Sequence, residues 1–457
     1  MRNDARLSCG VLVAAAVLVH GSTPGVFAQR GAASPATQAA QAAERSQQAP
    51  PPSAQQAPSQ DPQPPQADDE DAKKKRGIGR VRIRVEGHEG PIRGGTASLT
   101  MDGFYPLVGE IVAVSGLSAG VGYQRLRLGS SRIGIGGAAE VSYRGFQQYR
   151  LHVGYIEHRD TTEALQSVDA IVTSIFNDHA VKSPGMAAYA DARYIHYPAE
   201  VFFGLGPAAS EVNRTEYLLL GTIVDGVLQY QFTSSFGVSG RAGLLAPALG
   251  RGSRDSVEGR FGLELVPGLV GVPRYLTTGF AGAYDVRDDP GDPHAGYFLG
   301  GAIWRFSGLT GGEYDFVRVT GDARWYRQVF SPRGVLAVRA LASDERPDTG
   351  ARVPYYLQQT LGGSESLRGF PAYRFRARAL ATGSAEYRFQ VSSFLDIGPF
   401  VDVGAVAPTF ALLSVNDLEW SGGIRAGLRF KNAPLVTVGW GRSREGHRFF
   451  IGAATLF

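Results

Sequence analysis

The chain has 457 residues, with 46 lysines and arginines against 42 aspartates and glutamates, a net charge of +4. So even a balance gives no reason to expect a nucleic-acid partner, which would show as a basic stripe. A single cysteine, Cys9, excludes a disulfide framework and a cysteine-ligated zinc site.

Arg2 and Arg6 precede an apolar run over 11–19, and Val26, Phe27 and Ala28 offer a cleavage point before Gln29. Residues 1–28 therefore read as a secretory signal peptide. A membrane helix would need about 20 apolar residues, more than this run supplies. Cys9 falls inside the leader, so the mature chain carries no thiol. Residues 29–79 are rich in Ala, Gln, Pro and Ser without apolar periodicity, and cannot bury enough surface to offset the entropy of ordering. They are expected to form a disordered linker, with the acidic run 68–71 and basic run 73–76 as solvated charge.

Residues 80–457 are expected to form one domain. Val81, Ile83 and Val85 alternate with Arg82, Arg84 and Glu86, a short strand packed under or inside the rest of the domain. From 118 onward, period-2 alternation recurs to the end. Strands are predicted at 118–126, 133–143, 146–157, 187–196, 214–231, 236–245, 258–266, 275–284, 296–306, 312–328, 334–341, 378–390, 396–404, 420–430, 435–442 and 446–457. That makes sixteen, an even number as closed bacterial barrels require. The segment 214–231 is also long enough for two strands.

The last strands separate a membrane barrel from a soluble two-sheet fold. Trp420, Gly422, Ile424, Ala426, Leu428 and Phe430 form an apolar stripe with an aromatic at each end, opposite Ser421, Arg425 and Arg429. Two arginines on the covered face of a sandwich would be costly, whereas a wet lumen accommodates them. The fold class is therefore all-β, a transmembrane antiparallel β-barrel of 16 strands, with a long loop between strands 11 and 12.

That loop contains 361–370, Leu-Gly-Gly-Ser-Glu-Ser-Leu-Arg-Gly-Phe, where alternation stops. On the strands after it, Glu386 and Asp402 fall on the polar face. The loop, the Gly383-Ser-Ala-Glu-Tyr-Arg and Phe400-Val-Asp-Val-Gly segments and the terminal Phe457 resemble the outer-membrane assembly and translocation superfamily. This superfamily holds the bacterial surface antigen proteins, the barrel-assembly insertase and the two-partner secretion transporters. The resemblance implies an integral outer-membrane barrel that inserts or translocates proteins, without the polypeptide-transport-associated domains that usually precede it, and so dependent on a partner. It implies that the loop folds inward and that Arg368, with Gly369 and Phe370, clasps Glu386 and Asp402 on the wall. A guanidinium fork can hold two carboxylates in fixed geometry where lysine offers a point charge. The alternative is a surface arginine beside an unrelated carboxylate pair. A hydrated lumen would soften the loss of one partner, so Arg368→Ala is expected to leave the barrel folded and free the loop.

Other constellations point to less. Residues 285–290, Asp-Val-Arg-Asp-Asp-Pro, read as turn chemistry, since the spacing lacks the alternating ligands of a calcium loop. His152 is the best histidine candidate for catalysis, but no Gly-x-Ser-x-Gly elbow or His-Glu-x-x-His accompanies it. The reading is thus a non-enzyme with no cofactor and no metal. Its partners are membrane lipids, the outer-membrane assembly machinery and either client proteins or a periplasmic partner. A passive pore or scaffold is the alternative, and an outer-membrane lipase a weaker one. With Phe457 at the periplasmic side, 431–434 and 391–395 become periplasmic turns, while the Arg368 loop and 405–419 become external. The long stretch 197–213 breaks this rule of short periplasmic turns.

The last strand ends in the terminal aromatic, Phe457, which is expected to serve as the insertion signal. Deleting Phe457 should lower the assembled fraction, measured as the heat-modifiable band on a gel; an unchanged band would contradict this role.

Overall fold

The computed structural model describes residues 82–87, 95–100, 103–125, 133–156, 184–262, 266–289, 292–430 and 433–453. The expected leader, the linker and Phe457 lie outside the described residues. Among the described residues no helix is long and apolar enough to cross a membrane, which says nothing of crossing by strands.

The described residues form an 18-stranded sheet and a separate two-stranded one. The first strands are β1 (Arg82–Gly87), β2 (Gly95–Thr100), β3 (Gly103–Glu110), β4 (Leu117–Arg125), β5 (Ile133–Ser142) and β6 (Gln147–Ile156). Long strands follow: β7 (Gly185–Phe202), β8 (Thr215–Gln231), β9 (Phe236–Arg251), β10 (Tyr275–Asp285), β11 (Gly296–Gly308), β12 (Phe316–Gln328) and β13 (Gly334–Pro347). A short hairpin, β14 (Gln359–Leu361) with β15 (Phe375–Ala377), is the two-stranded sheet. The main sheet resumes with β16 (Ala379–Ser392), β17 (Leu395–Ala407), β18 (Glu419–Phe430), β19 (Ala433–Ser443) and β20 (Gly446–Ala453). Antiparallel ladders join each main-sheet strand to the next, with β13 pairing directly to β16.

Three differences from the sequence-based expectation have local causes. Residues 82–87 are neither under nor inside the sheet: β1 is its first strand, with Ile83 opposite Leu99 and Val85 opposite Ala97. β2 and β3 escape a periodicity reading because they are short and β3 carries Pro106. The stretch 258–266 is no strand at its start. Val257–Arg260 is one helical turn, α1, whose Ser256 hydroxyl accepts from the Gly259 amide at 3.3 Å, an N-cap that outweighs a brief alternation. Among the described residues the main sheet has 18 strands, against the sixteen expected, and 215–231 is a single strand.

Side-chain parity sets the two faces. On β17, Asp396, Gly398, Phe400, Asp402 and Gly404 are buried while Ile397, Pro399 and Val401 are exposed. On β18, Trp420, Ile424 and Leu428 are 59%, 59% and 48% exposed, and Arg425 between them is 2% exposed. Glycines make room for the inner face's large groups: a Cβ on Gly279 would lie 1.8 Å from the Trp304 ring. Contacts between distant strands show that this face is concave. Arg429 on β18 meets Asp292 beside β11, and Arg376 meets Tyr217 on β8.

One end of the interior is filled by an aromatic cluster in which Phe202, Tyr217 and Tyr356 surround Tyr355 at ring separations of 5.1, 5.0 and 5.6 Å. β7 runs on to Phe202, and the connection after it lies beside the long 348–378 loop, the Gly206 amide donating to the Arg376 carbonyl at 2.7 Å. The long stretch after β7 therefore sits at the end where long loops belong, and does not break the loop-length rule.

Candidate functional site

The loop between β13 and β16 is buried along nearly all of 353–377. It descends through β14, turns at Gly362 and Gly363 (φ 112 and 95) and climbs back through β15. Only glycine adopts those angles without strain, and a Cβ on Gly362 would lie 2.2 Å from the Pro371 carbonyl. Leu361, Leu367, Phe370 and Phe375 pack against Leu380 of β16 and Val406 of β17. Phe370 and Phe375 meet edge to face at 5.3 Å, so this aromatic stiffens the loop as well as seating it.

This packing delivers Arg368 to the inner wall. Its Nε donates to Asp402 Oδ2 at 3.0 Å, one terminal nitrogen to Asp402 Oδ1 at 2.7 Å, and the other to Glu386 Oε2 at 2.5 Å. The Arg368 backbone amide also donates to Asp402, at 3.0 Å, and the guanidinium lies 3.6 Å from the centre of the Phe400 ring. Gly369 lets the backbone close on β18 and β19: a Cβ there would lie 2.7 Å from that of Ser421. Its carbonyl accepts from the Ser443 hydroxyl at 2.9 Å. Burial alone would lower the Arg368 pKa, but Asp402 and then Glu386 outweigh it and raise the pKa above the ordinary arginine value.

The charges continue down the wall. Arg425 Nε lies 2.7 Å from Glu386 and its NH1 2.5 Å from Asp396, whose other oxygen lies 3.3 Å from Arg429. Arg429 also holds Asp292, and Arg388 lies 3.9 Å from the same carboxylate. Arg368, Arg388, Arg425 and Arg429 thus face Glu386, Asp396, Asp402 and Asp292, equal in number and opposite in sign. Isolated buried ions would cost several kcal/mol each, and the alternation offsets this. The expectation of a wet lumen around these arginines is corrected here: Arg368, Glu386 and Asp402 are 2%, 3% and 0% exposed.

The loop has other anchors that periodicity could not reveal. Arg376 donates to the Tyr355 carbonyl at 2.7 Å and to the Tyr217 hydroxyl at 3.3 Å. Arg374 lies 2.8 Å from Glu445 in the β19–β20 turn and donates to the Ala209 carbonyl at 2.7 Å. Arg318 of β12 donates to the Leu357 carbonyl at 2.6 Å. Losing Arg368 alone would therefore not free the loop, contrary to the sequence-based expectation.

Asp285 holds Arg287 at 2.7 Å, and Asp288 Oδ1 accepts from the amides of Asp289, His294 and Ala295. These are turn contacts. His152 is buried on β6 opposite Asp191 in the ladder. No group of three His, Cys, Asp or Glu able to hold a metal occurs among the described residues.

Residues 274–430, which span β10 to β18 with the inward loop, match the family model of the Omp85 superfamily domain. The fold is similar to that of BamA from Haemophilus ducreyi lacking POTRA domains 1-3, with a TM-score of 0.53 and 14% identity, covering 84% of this chain and 77% of that one. Similarity to CdiB from Escherichia coli has a TM-score of 0.45 and 10% identity, covering 82% and 69%. For CdiB from Acinetobacter baumannii the values are 0.39 and 9%, covering 83% and 66%. No match to a curated protein sequence is found.

Removing one partner of a buried ion pair costs about 3–5 kcal/mol, and burial this complete leaves little solvent to reduce it. Arg368→Ala should destabilise the folded chain by about that much in urea unfolding, because Asp402 loses the guanidinium and keeps two neutral donors, the residue-368 backbone amide at 3.0 Å and the Ser421 hydroxyl at 3.3 Å. Arg368→Lys should recover part of the loss, since it restores charge without the fork. Equal stability of parent and Arg368→Ala would refute the assignment.

Proposed function

We propose that this chain, an Omp85 superfamily member through residues 274–430, forms a closed outer-membrane β-barrel that assists the insertion or translocation of proteins. The observation that carries the reading is the buried Arg368 loop, set against Glu386 and Asp402 inside the region matched to the family. A polar inner wall with a separate loop folded onto it supports a role in handling a chain at the wall.

The outward stripe of Trp420, Ile424 and Leu428 supports membrane residence, since lipid covers an apolar surface that water would not tolerate. In this reading residues 1–28 serve as the cleaved signal peptide, 29–79 as a linker and 80–457 as the barrel, with Phe457 as the signal read by the assembly machinery. Membrane lipids and client proteins, or a periplasmic partner that brings them, are the implied partners. The buried 353–377 segment argues against a passive open pore, because it occupies the space an aqueous path would need.

Reconstitution tests both parts of this reading. The purified chain should enter liposomes and conduct weakly, and with periplasmic extract supplying a partner it should accelerate the folding of a client β-barrel protein, an acceleration that Arg368→Lys should reduce more than it reduces stability. Recovery of the mature chain in a detergent-free soluble fraction would contradict the membrane assignment. Insertion without any acceleration of the client would contradict the handling role.

A further inference from the structure

The β19–β20 hairpin closes through a two-residue turn, Arg444 and Glu445, between the paired residues Ser443 and Gly446. The register it imposes sets Arg442 opposite His447, Trp440 opposite Phe449 and Val438 opposite Ile451. Gly441 and Ser443 face inward, where the backbone of Arg368 and Gly369 closes on them. Side chains alternate along a strand, so Arg442 and His447 point outward, onto the surface that carries Trp420, Ile424 and Leu428.

Arg442 carries a charge that nothing among the described residues pairs. The acids beside it are engaged elsewhere: Glu445 holds Arg374 of the inward loop at 2.8 Å, and Glu419 holds Arg444 at 2.7 Å. Across the sheet Arg442 faces Gly422 of β18, which puts no side chain over the guanidinium. The Trp420 ring borders the gap, 4.0 Å from where a Cβ on Gly422 would lie. On the other flank the His447 ring stacks on Trp440, with centroids 5.2 Å apart and planes at 17°, keeping an imidazole beside the guanidinium. That imidazole has an N–H to donate whether charged or neutral. Away from the turn the surface is apolar: Phe449 and Ile451 are 88% and 66% exposed, next to Trp440 and Val438.

A guanidinium on a lipid-facing surface is costly in hydrocarbon and stable at the interface, the depth at which tryptophans also gather. Its fork fits the oxygens of a phosphate. We propose that Arg442 and His447, framed by Trp420 and Trp440, bind the phosphate of an anionic membrane lipid whose acyl chain lies along Phe449 and Ile451. A phosphate free in solution would use the two polar groups and leave the apolar track bare, so the track assigns the ligand to the membrane. The inference rests on the membrane-barrel reading, and its test separates the two.

The chain is refolded into phosphatidylcholine vesicles holding a small share of lipid brominated on its acyl chains, which quenches tryptophan on contact. Quenching by brominated phosphatidic acid and by brominated phosphatidylcholine, at equal mole fraction, gives the relative affinity for the two headgroups. It should favour phosphatidic acid several-fold in the parent, fall to near unity in Arg442→Gln and recover in part in Arg442→Lys, with quenching by brominated phosphatidylcholine alike in all three. Unbrominated phosphatidic acid should reverse the excess, and inorganic phosphate should not. Equal quenching of the parent by the two lipids, or an excess that persists in Arg442→Gln, would overturn the site; an excess abolished by inorganic phosphate would overturn its assignment to a lipid. Absence of quenching by either lipid would count against the membrane reading. Native mass spectrometry of the folded, detergent-solubilised chain then decides the site without a bilayer: the parent should retain phosphatidic acid over phosphatidylcholine and Arg442→Gln should not, and a parent without that preference would overturn the proposal.

Discussion

A row of alternating buried charges on the inner face of β16, β17 and β18 governs this structure. Arg368, Glu386, Arg425, Asp396, Arg429 and Asp292 follow one another, each ion facing a neighbour of opposite sign. No member is well placed alone, since a lone buried ion would lose more in hydration than any single contact returns. Two of them, Arg368 and Asp292, come from outside the wall. The charges balance with both connections folded inward, whereas folding in only one would leave an extra ion without its opposite, and this ties the conformations of two distant segments to each other through one set of strands.

The inward loop is correspondingly more than an arm with a charged tip. Arg374 and Arg376 secure its returning limb to the β19–β20 turn and the β7–β8 end, while Arg318 holds the Leu357 carbonyl on its descending limb. With the Tyr355 aromatic cluster at its base, it spans the interior from wall to wall. Mobility in such a segment would require release at several points. A client that worked on it would have to compete for the Arg368 clasp while the base stayed seated.

The faces of β16, β17 and β18 were readable because strand periodicity is local: each residue's side follows from its neighbours. That logic placed Glu386 and Asp402 on one inner face and set Trp420, Ile424 and Leu428 outside. The location of Arg368 against the two acids followed from resemblance, since no spacing rule predicts where a loop as long as 348–378 turns. Arg425 and Arg429 were visible as inward arginines, but their partners depend on register between strands, which sequence periodicity does not specify. Asp292 gave no signal, as its partners lie across the interior. β2 and β3 were missed for want of length, and the α1 turn was misread because a Ser cap acts over fewer residues than a periodicity window covers.

The central claim is that Arg368 sits at Asp402 inside the folded domain. Its backbone amide donates to the Asp402 carboxylate at 3.0 Å, so the main chain at residue 368 lies one aspartate side chain away from β17. The most direct measurement is oxidative crosslinking of Arg368→Cys with Asp402→Cys in a chain without Cys9, assembled in membranes and shown to be folded. The account predicts a crosslink in near-stoichiometric yield that reduction reverses. A folded chain in which the pair stays reduced under the same oxidant would place the loop elsewhere and contradict the account.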